Sequence, residues 1–189
     1  MRRLFAALIL AVASLGAASG AFAAPAQVII IRHGEKPDTG NELNERGWQR
    51  ANALVNFFRQ NSSVTQRGAP AAIYAMAPKG ASGSLRPIQT VTPLAQSLGL
   101  AINSNYTKKQ LPQLVSDILA DPSYEGRMVL ICWEHKVIPE LVRDFGWDLA
   151  PQEWPGGVFD RAWLLNLSGG RVVSFQDIPE HVLPGDSAD

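Results

Sequence analysis

An apolar strand that runs directly into an Arg-His-Gly tripeptide constrains this chain more than any other feature. Residues 28–31 are four consecutive aliphatic residues, which predict a strand buried on both faces, as in a parallel sheet. Such strands end at the crevice where α/β proteins bind ligands. Next come Arg32, whose guanidinium suits an oxyanion, His33, whose neutral imidazole can attack phosphorus, and Gly34, which lets backbone come close. The motif predicts a phosphate site at which His33 is phosphorylated during turnover.

The first 23 residues are predicted to be a signal peptide. A basic start (Met1–Arg3) precedes an apolar run over residues 4–15, and residues 21–23 form an Ala-x-Ala cleavage site. We therefore expect a mature chain that begins at Ala24 and is secreted, in a bacterium to the periplasm. The apolar run is too short for a membrane span and no later run is longer, so no span is expected in the mature chain.

The length of the chain predicts one domain, and its charge balance excludes one class of partner. Residues 24–189 suffice for a single domain with its own core. Without Arg2 and Arg3 the chain has 15 basic and 17 acidic residues, which predicts no nucleic-acid binding. Cys132 is the only cysteine, so no internal disulfide can form. The pattern indicates no particular oligomeric state.

Alternating strands and helices predict an α/β three-layer sandwich, with a mainly parallel central sheet and helices on both faces. Asn44 is expected to cap the first helix and Gly99 to end the second. The polar tail from residue 179 onward is expected to be loose. Strands are predicted at 28–31, 71–76, 101–103, 128–132, 161–167 and 171–175, and helices at 45–59, 85–98, 110–119 and 138–145.

Polar side chains follow three of these strands at points that a parallel sheet would bring to one edge. Two arginines and two histidines there would hold a dianionic phosphoryl group and stabilise its transition state. The candidate catalytic residues are Arg32, His33, Arg86, Glu134 and His135; the candidate phosphate-binding residues are Arg32, Gly34, Glu35, Lys36, Arg86 and His135.

Four segments in order resemble the histidine phosphatase superfamily, also called phosphoglycerate mutase-like. They are RHGE at 32–35, LNERGWQRA at 43–51, SLRPIQT at 84–90, and His135 after a late apolar strand. The resemblance implies an α/β sandwich in which His33 is the nucleophile. It also implies that Arg32, Arg86 and His135 form the phosphate pocket, that the ligand is a small phosphorylated substrate or a phosphate ion, and that no metal or organic cofactor is needed.

The chain departs from the family at the general acid. Many members carry an acid after the second arginine, but residues 103–113 contain no Asp or Glu; in others an aspartate follows the second histidine, where this chain has Lys136. Glu134 is the nearest substitute, with Asp117 and Asp121 further away. Without a positioned acid, an enzyme of this kind favours good leaving groups such as phosphohistidine or phosphoanhydrides, because general acid catalysis contributes roughly 10²–10⁴-fold.

The sequence is compatible with two other functions. The same pocket would serve a weak or degenerate phosphatase that only binds or senses a phosphate ligand. More remotely, His33, Glu35, Cys132 and His135 resemble the ligands of a zinc-dependent hydrolase. That alternative leaves Arg32 and Arg86 as repulsive cations beside the metal. Residues 154–157 are either packing or a lid loop, and Glu35 alternatively only orients Arg32.

Overall fold

The computed structural model describes residues 24–187, and the predicted signal peptide lies outside them. Within that range no helix is long and apolar enough to cross a membrane. The strands are β1 (Gln27–Arg32), β2 (Ala72–Ala75), β3 (Ile102–Asn103), β4 (Met128–Trp133), β5 (Arg161–Ser168) and β6 (Arg171–Pro179). The helices are α1 (Glu45–Gln60), α2 (Arg86–Leu98), α3 (Leu111–Ala120) and α4 (Ile138–Asp144), with a short 3₁₀ turn at Pro122–Tyr124 that was not predicted.

The strands form one six-stranded sheet in the order β3-β2-β4-β1-β5-β6. The pairs β1–β4, β2–β4 and β2–β3 are parallel, whereas β5 runs antiparallel to β1 and forms an antiparallel hairpin with β6. The predicted α/β class with a mainly parallel sheet is confirmed. Both predicted helix ends are also present: the Asn44 side chain accepts from the Gly47 amide, and Gly99 adopts a φ of 65°, which glycine tolerates best.

Alternation along β1 divides the core between the two faces of the sheet. Val28 and Ile30 belong to the apolar cluster that α3 and α4 cover, whereas Ile29 and Ile31 belong to the cluster that α1 and α2 cover. Because both faces of β1 are buried, a continuous aliphatic run is the pattern it needs. The helices therefore lie on both sides of the sheet, and the predicted three layers are confirmed.

The ends of β1, β2 and β4 lie side by side, as expected for neighbouring strands of a parallel sheet. Arg32 is in register with Trp133, and the His33 amide donates to the Trp133 carbonyl at 3.1 Å. The Met76 amide, just after β2, donates to the Cys132 carbonyl at 3.1 Å. The three loops that carry the candidate residues thus start from one edge.

The prediction of a loose C-terminal tail was wrong. Glu180 is buried, and its carboxylate lies 3.3 Å from Arg50; Asp186 lies 2.7 Å from the same guanidinium. The Asp160 carboxylate accepts from the amide and hydroxyl of Ser187. These polar residues are held because the buried Arg50 faces two of their carboxylates and Asp160 accepts from Ser187, which composition alone does not reveal.

Candidate active site

His33 is held as a neutral imidazole with one nitrogen left for chemistry. Its Nδ1 lies 2.7 Å from the Gly34 carbonyl oxygen, and a carbonyl only accepts, so Nδ1 carries the hydrogen and Nε2 has the free lone pair. Burial lowers the pKa of His33 to about 4, and repulsion from Arg32, Arg86 and His135 acts in the same direction. The imidazole is therefore unprotonated at neutral pH, as a nucleophile must be.

Arg32 is a buried cation fixed by a loop on the far side of the site. Its Nη1 donates to the carbonyls of Gly156 (2.8 Å) and Val158 (2.6 Å), and the guanidinium carbon lies 3.7 Å from the centre of the Phe159 ring. Burial lowers its pKa to about 10, so the group stays charged at neutral pH. Of residues 154–157, predicted as either packing or a lid loop, Trp154 is buried in the core, which supports packing, and Gly156 accepts from Arg32.

Arg86 opens α2 and points its guanidinium toward the loop after β1. It donates to the carbonyls of Gly40 and Glu42. One turn later, the Thr90 hydroxyl donates to the Arg86 carbonyl and accepts from the Gly34 amide, both at 2.8 Å. The buried Thr90 therefore ties the start of α2 to the loop that carries His33.

His135 and Glu134 follow β4 on the same edge. Burial lowers the pKa of His135, with Arg32 contributing by repulsion, which favours the neutral ring. The His135 Nδ1 is buried and has no hydrogen-bond partner within residues 24–187. The His135 residue also borders the space between these side chains, where a neutral imidazole can donate a hydrogen bond to an oxyanion. Glu134 lies 3.5 Å from the Lys108 ammonium.

These side chains surround one cavity of about 300 Å³, here called the phosphoryl cavity. Four positively charged side chains and one carboxylate face it, together with two neutral imidazoles. This arrangement suits a dianion. It is lined by Arg32, His33, Lys36, Met76, Ser84, Arg86, Glu134, His135 and Lys136.

Several solved structures have a similar fold, although no protein-family model and no curated protein sequence matches the chain. The protein histidine phosphatase SixA complexed with tungstate is 17% identical, with a TM-score of 0.52, over 82% of this chain and 97% of that one. This chain adopts the histidine phosphatase fold. A proposed phosphohistidine phosphatase SixA from Agrobacterium tumefaciens (16% identity, TM-score 0.52) matches over 80% of this chain and 98% of its own length. A proposed alpha-ribazole-5'-P phosphatase from Escherichia coli (10%, 0.50) matches over 81% and 96%. At this identity the likeness confirms the predicted resemblance at the level of the fold.

Two residues predicted to contact substrate are placed elsewhere on this histidine phosphatase fold. The Glu35 carboxylate faces away from the phosphoryl cavity and binds Arg50 at 2.7 Å and Arg46 at 3.1 Å, because these cations of α1 lie beneath the loop. Gly34 acts through its backbone, which holds the His33 ring and bonds to Thr90. A Cβ on Gly34 would lie 3.1 Å from the Gly47 backbone, so the close approach of loop and helix requires glycine there.

The four residues of the zinc alternative do not come together as metal ligands in the described part of the chain. Within residues 24–187 no three His, Cys, Asp or Glu side chains lie close enough to hold a metal ion. Cys132 is fully buried in the apolar cluster under α1 and α2, and Glu35 is already bound by two arginines.

Sequence reasoning missed four residues at the site. Met76, Ser84 and Lys136 line the phosphoryl cavity, and Phe159 stacks on Arg32. Ser84 opens the segment 84–90 quoted above but was given no role, and Phe159 lies in a loop without diagnostic chemistry. Lys136 was identifiable, since it directly follows His135.

Proposed function

We propose that the protein is a phosphatase that hydrolyses a small phosphorylated substrate through a covalent phosphohistidine on His33. The observation that carries the proposal is a neutral imidazole, with its Nε2 free, in a cavity where Arg32, Arg86, Lys36 and Lys136 supply positive charge. The fold supports it, since the similar solved structures are described as phosphatases.

In the first step the Nε2 lone pair attacks phosphorus while the bond from phosphorus to the leaving oxygen breaks, and that oxygen takes the electron pair. Arg32 and Arg86 stabilise the charge on the non-bridging oxygens, and the neutral His135 donates one hydrogen bond. In the second step water attacks the phosphorus, the P–N bond breaks and the lone pair returns to Nε2, while the proton that the water loses passes to the carboxylate that protonated the leaving oxygen. Inorganic phosphate and the free leaving group are the products.

Glu134 is our candidate for the proton transfer that the leaving oxygen requires. Its side chain lines both the phosphoryl cavity and the space beside it, so a departing group would pass the carboxyl. Replacing Glu134 by Gln should slow alkyl phosphates by about 10²-fold or more, and should affect phosphoramidates and phosphoanhydrides much less. Equal losses on both kinds of substrate would refute this role.

The decisive experiment compares His33→Ala with the wild-type protein across phosphoanhydrides, phosphoramidates, and aryl and alkyl phosphates. We expect the variant to lose turnover and to lose the acid-labile phosphoenzyme that rapid quenching traps in the wild type. His181→Asn is the matched control, because it removes a histidine outside the phosphoryl cavity and Asn tolerates the positive φ of 46° there. Turnover that survives in the His33 variant would end the proposal. Binding of inorganic phosphate without turnover of any substrate would favour the sensor alternative.

We also propose that the protein is exported and that residues 1–23 are removed. The support is the basic start, the apolar run and the Ala-x-Ala site. Protein recovered from the periplasmic fraction should begin at Ala24 by N-terminal sequencing; an intact Met1 in the cytoplasmic fraction would contradict export.

A further inference from the structure

A second cavity of about 350 Å³ adjoins the phosphoryl cavity and shares three of its walls, Met76, Ser84 and Glu134. The two spaces therefore adjoin, and a group bonded to a phosphoryl in the first would lie next to the second. Its remaining lining residues are Ala77, Lys79, Gly83, Thr107, Lys108 and Lys109.

Ordered loops present the lysines of the second cavity. The Ala77 amide donates to the Tyr106 carbonyl at 2.8 Å, which fixes the segment before Lys108 against the end of β2. The Gly83 carbonyl accepts from the Asn41 side chain at 3.1 Å, which ties the loop containing Lys79 to the loop after β1. The backbone of both loops is thus pre-organised around the cavity.

Positive side chains outnumber negative ones around the second cavity far more than they do in the whole chain. Lys79, Lys108 and Lys109 face the second cavity, and Glu134, half-buried and bound to Lys108, is the one acidic residue lining it. With the four cations of the phosphoryl cavity, seven positive side chains and one negative side chain border the two adjoining cavities, although the whole chain carries 17 of each sign. Such a field attracts a ligand with more than one negative charge.

We propose that the second cavity is the leaving-group subsite, and that it selects small substrates whose leaving group carries its own anion, a second phosphate or a carboxylate. The inference rests on the proposed function for its orientation, since the scissile phosphoryl occupies the phosphoryl cavity. The size of the space fits a small-molecule fragment. Apolar walls from Met76 and Ala77 suit the carbon skeleton between the two anions.

Binding of two matched, non-hydrolysable ligands tests the subsite without depending on turnover. These are 4-carboxybenzylphosphonate and 4-carbamoylbenzylphosphonate, which have nearly the same shape and differ by one negative charge. Calorimetry at low salt should show the wild-type protein binding the carboxylate about tenfold more tightly, the sum expected of three exposed charge contacts. The preference should shrink in 0.5 M salt, because exposed charges are screened.

The triple variant K79Q/K108Q/K109Q should lose most of the preference, because the carboxylate loses its three nearby cations while the amide loses only their weaker attraction for the phosphonate. The control R59Q/R67Q/R171Q removes the same total charge from exposed positions that line neither cavity, and it should keep the preference. No preference in the wild type, or a preference that persists in the lysine variant, overturns the inference. Failure of the proposed function shows differently, as turnover that survives His33→Ala.

Discussion

Replacing Arg50 by methionine should destabilise the protein far more than the same replacement at Arg46, although both arginines bind the same two carboxylates. Arg50 contacts Glu35 and Asp186 at 2.7 Å each, and Arg46 contacts both at 3.1 Å. The side chains differ in burial: Arg50 is 2% exposed and Arg46 is 40% exposed. Methionine keeps most of the apolar stem, so the comparison isolates the charge.

The magnitude follows from which charges are left unpaired. Burial raises the pKa of Glu180, which favours its protonated form, so Arg50 chiefly balances Glu35 and Asp186. Removing one partner of a buried ion pair typically costs 3–5 kcal/mol, and the remaining Arg46 should keep R50M near about 3 kcal/mol. R46M, an exposed pair, should cost about 1 kcal/mol or less. For a domain of this size, R50M should therefore melt about 6–12 °C lower.

Urea unfolding of the mature chain at pH 7, followed by circular dichroism, measures both variants on one scale. Comparable losses in R50M and R46M would refute the reasoning, because they would mean that water screens both guanidiniums alike. A loss below about 1 kcal/mol in R50M would show that the desolvation penalty of the cluster cancels its attraction.

Two further outcomes are expected. His33 should titrate by NMR with a pKa of about 4, because burial and the nearby cations disfavour its protonated form. Arg86→Gln should raise that pKa by removing one cation. A pKa near 6.5 in the wild type would contradict the described environment of His33. Thr90→Val should lower the free energy of unfolding in urea by about 1–3 kcal/mol and lower kcat, since the buried Gly34 amide loses its acceptor. Thr92→Val removes only a bond to its own helix and should lower the free energy of unfolding less. Equal losses in the two variants would contradict the tie between Gly34 and α2.

The layers and the phosphoryl cavity could be predicted because local signals determine them. Four aliphatic residues before Arg32 require burial on both faces, and the loops after parallel strands must open at one edge. Arg86 and His135 follow from the same rule, since each lies just after a predicted strand or loop at that edge. The tautomer of His33 could not be predicted, because a sequence does not show which ring nitrogen meets a backbone carbonyl; the contact of Nδ1 with the Gly34 carbonyl decides it.

The carboxylate cluster under the loop could not be predicted, because its partners lie far apart in sequence and look like surface residues. Arg50 lies 15 residues from Glu35 and 136 residues from Asp186. A charged residue in an amphipathic helix normally faces solvent, and a polar C-terminal segment normally frays. Only the tertiary packing of 180–187 against α1 turns these two ordinary patterns into a buried network. For the same reason Glu35 was assigned to substrate, since its carboxylate sits next to His33 in sequence but not in space.

The positive side chains at the sheet edge serve binding and nucleophilicity together, so the two properties cannot be tuned separately. Arg32 and Arg86 lower the pKa of His33, which keeps Nε2 unprotonated, and the same charges attract the phosphoryl dianion. A bound dianion opposes those cations and makes protonation of the imidazole easier. The burial of the ring limits that effect, because it does not depend on charge at the site, whereas the Nδ1 bond to Gly34 favours the protonated ring. A variant that loses one arginine should therefore lose affinity and gain an imidazole that protonates at higher pH.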